Sequence, residues 1–199
     1  MSLTAAQLTT LGTDIAANNN TAPGTSGPIS ALVHSQDNAD AVAQWYNLVA
    51  AGPFVVWRDL SMDVVLGLIV NANMTPLDDP PTDIAAADYL QRNALWQARD
   101  LACQGKALNL QNLTISRSFA PMKRSGYRTA LQDALTNLPA GTAGAKIAAG
   151  WVGVRDAAKF NSTNGEKLFA TGTGTFSSPA DLGYEGPIAT SDVRAIWGI

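Results

Sequence analysis

The sequence predicts a mostly α-helical protein, a helical bundle with one long central helix and an extended C-terminal arm. Two observations predict this fold. Apolar residues recur at helical spacing over most of the chain as far as Phe160. Beyond Phe160 the periodicity gives way to turn-forming residues with short apolar segments between them. We therefore predict a bundle domain over residues 1–160 and an arm over residues 161–199.

The first helix is predicted from its start. Thr4 and Gln7 stand at the spacing of a capping box, and Leu8, Leu11 and Ile15 follow on one helical stripe. The segment after it, from "NNN" to "TAPGTSGP", is rich in residues that interrupt regular structure, so it predicts a loop.

The second helix is expected to be capped by Asn38 and to end before "AAGP". Its predicted apolar face consists of Val42, Trp45, Tyr46 and Val49. The next segment, "FVVWR", is aromatic and β-branched and predicts an extended connector or a short strand.

A third helix is expected to start at Ser61 and to run through "MDVVLGLIV". It cannot continue far, because Pro76, Pro80 and Pro81 lack the backbone donors of a helix.

The strongest helical pattern runs from about Asp83 to Leu110, with Thr82 as its predicted cap. Its apolar residues recur every seven positions at Tyr89, Trp96, Cys103 and Leu110, and a second set widens this seam at Leu90, Ala94, Leu101 and Leu108. A stripe of this width predicts partners on more than one side of the helix.

Three shorter helices are predicted after the long one. The first carries Tyr127, Leu131, Ala134, Leu135 and Leu138, and the second carries Ile147, Trp151, Val154 and Ala158. The last starts at Ser191, has Asp192 in its first turn and is anchored by Trp197.

The charge of the chain restricts its function. The net charge is -3, and only 15% of residues are charged, against about 25% in ordinary soluble domains. A basic face for phosphates is not expected, which argues against a free-standing nucleic-acid-binding protein. The one tight basic group, Lys123, Arg124 and Arg128, is interpreted as a solvated helix end, with a patch facing DNA in an oligomer as the alternative. The weakly charged surface favours a subunit that packs against neighbours.

Cysteine content and hydropathy give further limits. The single cysteine, Cys103, excludes an intrachain disulfide and a multi-cysteine zinc site, and its place on the apolar seam predicts a buried side chain. The longest apolar run, "VVLGLIV", is far shorter than the roughly 18 residues of a membrane span. We expect no membrane partner, and a protein made and assembled in a cytoplasm.

Nucleotide binding is tested by the glycine-rich segments. A phosphate-binding loop of the G-x-x-x-x-G-K-[ST] type needs a lysine and a hydroxyl after its glycines. The segment around Gly172 and Gly174 has no basic residue before Arg194, and no hydroxyl residue follows Lys146 in "GTAGAK". We expect no nucleotide and no other cofactor, and we interpret Gly172 and Gly174 as turn residues with positive φ.

Catalytic and metal-binding groups are sparse. His34 is the only histidine and has Ser35, Asp37 and Asp40 nearby in sequence, but no G-x-S-x-G motif accompanies it. The densest carboxylate group is Asp78, Asp79, Asp83 and Asp88, which we interpret as an acidic loop before a helix N-terminus rather than a metal site. We therefore expect no catalytic residue and no metal.

Two segments near the C-terminal end carry a recognisable pattern, "LQDALTNLPAGTAGAKIAAGWVGVRDAAKF" and then "GEKLFATGTGTFSSPADLGYEGPIATSDVRAI", with "KLFATGTG" as the most specific part. Together with the earlier "AVAQWYNLVAAGPFVVWR", they resemble a family of structural proteins of tailed bacteriophages, and the resemblance covers most of the chain. One departure is "KFNSTNGEKLF", where related chains carry more basic residues. It predicts a loop at this point and weakens a DNA-facing role for it.

The resemblance implies a virion protein, and we expect a head-to-tail connector that forms a homo-oligomeric ring under the portal. The expected partners are the portal protein and a tail or nozzle protein, with weak contact to DNA in a channel left open. The alternatives are a tail-completion or capsid decoration protein and, in a different class, a small hydrolase using His34.

The arm is expected to contact a neighbouring subunit through apolar anchors set between turns. The predicted interaction residues are Phe169, Gly172, Gly174, Phe176, Leu182, Tyr184 and Trp197. Truncation after Phe169 is expected to leave a folded bundle that no longer assembles.

Overall fold

The structure is a computed structural model that describes residues 3–74, 89–139 and 146–199. Over these residues it is mostly α-helical, as predicted, with eight α-helices and six short strands. The helices are α1 (Ala5–Ala17), α2 (Gln36–Asn47), α3 (Met62–Leu68), α4 (Tyr89–Thr114), α5 (Ser125–Leu135), α6 (Trp151–Ala157), α7 (Asn164–Phe169) and α8 (Thr190–Trp197). The strands are β1 (Val55–Trp57), β2 (Leu60–Ser61), β3 (Phe119–Ala120), β4 (Leu138–Pro139), β5 (Lys146–Ile147) and β6 (Lys159–Asn161).

The chain divides into two compact units, and this division differs from the predicted boundary at residue 160. Unit 1 combines Met1–Trp57 with Lys159–Ile199, and unit 2 is Arg58–Ala158. The C-terminal segment, which the sequence suggested as a separate arm, thus folds with the N-terminal residues of its own chain. Helical periodicity could not reveal this, because it does not specify which segments meet in space.

Local capping explains the starts of the helices in unit 1. The Thr4 hydroxyl accepts a hydrogen bond from the Gln7 amide, and the Gln7 side chain accepts one from the Thr4 amide, which completes the predicted capping box of α1. The prediction for α2 was wrong by one turn. Ser35 is the cap, because its hydroxyl accepts from the Asn38 amide, whereas the Asn38 side chain donates to the Val33 carbonyl.

The core of unit 1 forms where α1, α2 and α8 pack together. Leu11, Val42 and Val193 are fully buried there, and Ile188 is almost fully buried. Tyr46, also fully buried, donates its hydroxyl proton to the Asp14 carboxylate and accepts from the Asn18 amide at 3.3 Å. The hydrogen-bonded side chains of Tyr46, Asp14 and Asn18 thus lie at the edge of the apolar core.

Tyr46 makes the stability of unit 1 decrease with rising pH in the alkaline range. Burial, together with the hydrogen bond to Asp14, raises the pKa of Tyr46 far above its ordinary value near 10. The unfolded chain then releases this proton above about pH 10 while the folded chain keeps it, so the stabilisation is present below pH 10 and is lost as pH rises above it.

The replacement Tyr46→Phe tests this linkage. We expect it to cost about 1–3 kcal/mol at pH 8, because Asp14 and Asn18 lose a partner. Between pH 10 and 11 the stability of the variant should fall less steeply than that of the wild type, by up to about 1.4 kcal/mol per pH unit. Urea unfolding at several pH values measures both effects. Equal slopes in the two proteins would contradict the role given to Tyr46.

Unit 1 also contains the one three-residue strand pair of the described chain. β1 and β6 run antiparallel with Val56 opposite Phe160. On the other side of β1, the Ala180 amide donates to the Val55 carbonyl at 2.9 Å and the Ala180 carbonyl accepts from Trp57 at 3.1 Å. The predicted extended connector "FVVWR" is therefore a central strand, held by two segments from the C-terminal end of the chain.

Unit 2 is organised around its helices in series. The main helix contacts run from α4 to α5, from α5 to α6, and from α6 to α3. Leu131, Leu135 and Val154 are fully buried between these helices. Two short antiparallel pairs, β2 with β3 and β4 with β5, join the connecting segments.

The long predicted helix is present in the described residues as α4, which extends four residues beyond Leu110 to Thr114. Cys103 is buried as predicted, and burial raises the pKa of its thiol. The predicted cap Thr82 and the start at Asp83 lie outside the described residues.

The next two helices are shorter than predicted: α5 ends before Leu138, and α6 starts after Ile147. Leu138 lies in β4 and Ile147 in β5, where the two residues face each other across an antiparallel pair. Each of these residues is apolar and stands at helical spacing from the neighbouring helix, so the apolar period of the sequence extends beyond the helix into the adjacent strand. The last helix starts at Thr190, one residue before the predicted start, and has Asp192 in its first turn as predicted.

The helices also answer the question of membrane insertion for the described part of the chain. Among these residues, no helix combines the length and the hydropathy that a membrane crossing requires.

Candidate interaction surfaces

The C-terminal residues dock on α2 of their own chain through a polar clamp formed by Asn47 and Asp40. The Asn47 side chain donates to the Ile188 carbonyl at 3.0 Å and accepts from the Ile188 amide at 2.8 Å, so it pairs with the backbone as a neighbouring strand would. Two turns of α2 earlier, Asp40 accepts from the Thr190 hydroxyl at 2.6 Å, and this hydrogen bond lowers the pKa of Asp40. These hydrogen bonds hold the start of α8 and the residues before it against α2.

Trp197, the predicted anchor, contacts a residue of its own chain. Its ring stacks on His34, with ring centroids 4.6 Å apart and planes 5° from parallel. Trp197 is half-buried and His34 is exposed, immediately before the cap of α2. The predicted contact of Trp197 with a neighbouring subunit stays a prediction.

Phe169 and Tyr184 meet at the base of the C-terminal segment. The centres of their rings lie 5.6 Å apart in an edge-on arrangement; Tyr184 belongs to the core of unit 1, and the half-buried Phe169 packs against that core. The Tyr184 hydroxyl donates to the Pro187 carbonyl at 2.8 Å, and burial raises the pKa of Tyr184. Leu182, between them in the sequence, is half-buried. These side chains hold the C-terminal segment against the rest of unit 1.

Gly172 and Gly174 form a turn, as their interpretation predicted. Gly172 has φ 119° and Gly174 has φ 64°, both in the region that favours glycine. The turn folds back, because Thr171 and Asp181 exchange two backbone hydrogen bonds of 2.9 Å. The Gly174 carbonyl accepts from the Val55 amide at 2.7 Å, so the "ATGTG" loop packs along β1 instead of extending away from it.

Among the predicted interaction residues with large side chains, Phe176 is the most exposed, at 58%. The Lys159 ammonium lies 4.0 Å from the centre of its ring and 6.0 Å from the ring of Trp57. The cation is attracted to one face of the ring, and more than half of the Phe176 side chain stays accessible to a partner.

A cleft of about 720 Å³ also opens on unit 1. Its walls include Asp14, Asn18, Asn19, Asn20, Trp45, Asn164 and Lys167. Several of these side chains already have structural roles: Asn18 bonds Tyr46, and Asn164 donates to the Trp45 carbonyl at 2.8 Å. The sequence analysis did not find this cleft, because its asparagines come from segments far apart in the chain.

On unit 2, α4 carries an exposed apolar stripe. We define the α4 stripe as Leu90, Ala94, Leu101 and Leu108, of which Leu90 is 77% and Leu101 71% exposed. Cys103, on the other seam of the helix, is buried. The residues of the second predicted set are thus exposed in the part of the chain that the structure describes.

A second apolar surface lies on α3 and α6. We define the α3/α6 patch as Val64, Leu66, Leu68 and Val152, all exposed. The two helices contact each other, and a Cβ at Gly153 would lie 3.7 Å from the Leu68 side chain. The "VVLGLIV" run thus buries Val65 and Ile69 in unit 2 and leaves its other apolar residues at the surface.

The residues near His34 have structural contacts. The Ser35 hydroxyl caps α2, and Asp40 accepts from Thr190. These contacts give the hydrolase hypothesis no support. Among the described residues, no group of His, Cys, Asp and Glu side chains could hold a metal ion; the Asp78, Asp79 and Asp83 group and Asp88 lie outside them.

The basic group has contacts of its own. The Lys123 ammonium lies 3.2 Å from the Asp59 carboxylate, and Arg128 donates to the carbonyls of Met122 and Lys123. Arg124 is exposed at the start of α5. The interpretation as a helix end fits these contacts.

Comparison with known proteins gives no relative of this chain. No protein-family model matches it, and neither a curated protein nor a solved structure shows significant similarity to it.

Proposed function

We propose that this chain is a structural virion protein of a tailed bacteriophage, a head-to-tail connector that forms a homo-oligomeric ring under the portal. The observation that carries the structural role is the apolar surface. Among the described residues, seventeen large hydrophobic side chains are exposed, and they occur in both units. Large exposed apolar patches mark sites of protein–protein contact.

The low charge of the chain supports the same role. With 15% charged residues, the surface lacks the charge density that keeps a monomer apart from its neighbours. A subunit that is covered on assembly does not need that charge. The place in the virion rests on the sequence resemblance carried by "KLFATGTG", and the proposed partners are the portal protein and a tail or nozzle protein. Phe176, exposed on the "ATGTGTF" turn, is the contact residue that we propose for a neighbouring subunit or the portal.

The mass of the assembled complex tests this proposal. Native mass spectrometry of the purified chain, alone and mixed with a portal ring encoded in the same genome, should show many copies adding to one portal ring. A Phe176→Ala variant should bind the ring more weakly, while Val33→Ala, an exposed residue elsewhere on unit 1, should bind normally.

Two other outcomes would replace the proposal. A chain that is present in purified particles but does not bind the portal ring would be a tail-completion or decoration protein, and an image of labelled particles would place it. A chain that is absent from particles and hydrolyses an ester substrate, with activity lost in His34→Ala, would be the small hydrolase.

A further inference from the structure

We propose that the cleft on unit 1 is a binding site for a neutral carbohydrate. The last turns of α1 and α2, the asparagines that follow α1, and α7 bound the cleft, so all of it lies within one unit. Its volume of about 720 Å³ falls in the range of small-molecule sites, roughly 300–1,000 Å³. This inference goes beyond the connector role and does not depend on it.

Hydrogen bonds within the chain hold the amide groups of the cleft in place. The Asn18 side chain donates to the Tyr46 hydroxyl at 3.3 Å, and its carbonyl oxygen accepts from the Asn20 side chain at 2.8 Å. At the start of α7, the Asn164 side chain donates to the Trp45 carbonyl at 2.8 Å. Side chains that are already fixed lose little freedom when a ligand binds, which favours binding.

Several polar groups of the cleft are open to a ligand. Within the described chain, the Lys167 ammonium and the Asn19 side chain make no hydrogen bond, and the side-chain oxygen of Asn164 accepts none. Both hydrogen bonds that the Asp14 carboxylate accepts reach its Oδ2 atom, so Oδ1 is open as well. The cleft therefore presents donors and acceptors together, and hydroxyl groups can bond to both kinds.

The charges of the cleft favour an uncharged ligand. Its lining contains one carboxylate, Asp14, and one ammonium, Lys167, whose charges cancel. A phosphate or another anion would be attracted by Lys167 but repelled by Asp14. A ligand with several hydroxyl groups can donate to the carboxylate and accept from the ammonium, so it satisfies both groups without carrying a charge.

Trp45 supplies an apolar surface that suits a sugar ring. Trp45 and Leu168 are half-buried and line the cleft beside the amides. Aromatic side chains offer a large, rigid apolar surface. A sugar ring has C–H groups on its faces and hydroxyl groups around its edge, so it can contact such a surface while its hydroxyls bond to amides. This combination distinguishes a carbohydrate from a small ligand that is polar on all sides.

Titration of the full chain with three neutral trisaccharides tests the proposal. Maltotriose, cellotriose and triacetylchitotriose differ in linkage and in substituents, so together they sample the shapes of common sugar chains. At least one should bind with a Kd of about 0.1–1 mM, because each hydroxyl only exchanges a hydrogen bond with water for one with the protein. In amide NMR spectra, the largest shifts should occur at Asn18, Asn19, Asn20, Trp45, Asn164 and Lys167.

Two single substitutions in the cleft should weaken this binding. Asn19→Ala and Lys167→Met each remove one open polar group and should raise the Kd about 2- to 10-fold. Both side chains are exposed, so the NMR spectra of the variants should show a folded chain. The matched control Asn161→Ala removes an exposed amide of β6, outside the cleft, and should bind the sugar as the wild type does.

Three results would overturn the proposal. The first is that none of the trisaccharides binds at concentrations up to about 10 mM. The second is a sugar that binds equally well to the wild type and to both cleft variants, which would place its site elsewhere. The third is a shift of the cleft resonances by inorganic phosphate or glycylglycine at lower concentration than by any sugar, which would indicate a charged ligand. The portal ring takes no part in this titration, so the connector role is tested separately.

Discussion

Replacement of Gly150 by alanine is expected to destabilise unit 2 strongly. Gly150 precedes α6 with φ 95°, and a Cβ at this position would lie 2.2 Å from the Leu68 carbonyl oxygen and 3.3 Å from the Ile69 Cα. These are backbone atoms of the segment that leaves α3, so they cannot move away as the end of a side chain can. The positive φ adds strain of about 1–2 kcal/mol for any residue with a Cβ.

We expect Gly150→Ala to destabilise unit 2 by at least about 3 kcal/mol, since the clash adds to the backbone strain. For a unit of this size, that lowers the midpoint of thermal unfolding by more than about 12 °C. Hydrogen exchange of the α3, α5 and α6 amides measures the effect within unit 2. The loss should appear as faster exchange in these helices.

Gly105→Ala is the matched control for the same unit. Gly105 lies in α4, and a Cβ there would meet no atom within 4 Å. Alanine in an exposed helix interior is favoured over glycine by up to about 1 kcal/mol, so this variant should be slightly more stable than the wild type. Similar stability of the two glycine variants would mean that Leu68 does not approach Gly150 as closely as the structure shows.

The parts of the fold that could be predicted from the sequence are those fixed by local chemistry. Two helix caps, Thr4 for α1 and Ser61 for α3, depend only on residues within one turn. In both, the hydroxyl accepts a hydrogen bond from the expected backbone amide. The burial of Cys103 also followed from its place on a repeating apolar seam. These features depend on neighbours three or four residues away, which the sequence displays directly.

The parts that could not be predicted depend on which segments meet. Ile147 continues a helical pattern, yet it is in a strand because Leu138 lies opposite it. Ala180, in a turn-rich segment, is fully buried, and its amide and carbonyl bond to Val55 and Trp57 of β1. Contacts across more than a hundred residues leave no period in the sequence, so the closure of unit 1 by the C-terminal segment was missed.

For the candidate surfaces, too, the sequence predicted one part and missed another. The second set of apolar spacings on the long helix indicated a need for several partners, and the exposed Leu101 and Leu108 show where one is missing. The residues predicted for the arm, in contrast, have known contacts within their own chain at Phe169, Tyr184 and Trp197. Their predicted contacts with a neighbouring subunit stay a prediction, and Phe176 is the one whose exposure favours it.

Removal of residues 170–199 is expected to unfold unit 1, in contrast to the folded bundle that the sequence suggested. The deleted segment contributes Ala180, Tyr184, Ile188 and Val193 to the core, with exposures from 0% to 7%. Burial of each large apolar side chain contributes about 1.5–3 kcal/mol, so the loss of three of them approaches the whole stability of a typical domain, about 5–15 kcal/mol. The amides of Val55 and Trp57 and the side chain of Asn47 also lose their partners.

Hydrogen exchange after truncation at Phe169 decides between the two expectations. The amides of α1, α2 and β1 should lose their protection, whereas deletion of Gly198 and Ile199 alone, both exposed, should leave them protected. If the chain ending at Phe169 keeps full protection in α1 and α2, the C-terminal segment is dispensable for folding and is free to act as an assembly arm. Loss of protection would mean that the polar clamp of Asn47 and Asp40 holds a part of the core, so an assembly role for this segment must be carried by its exposed residues, with Phe176 first among them.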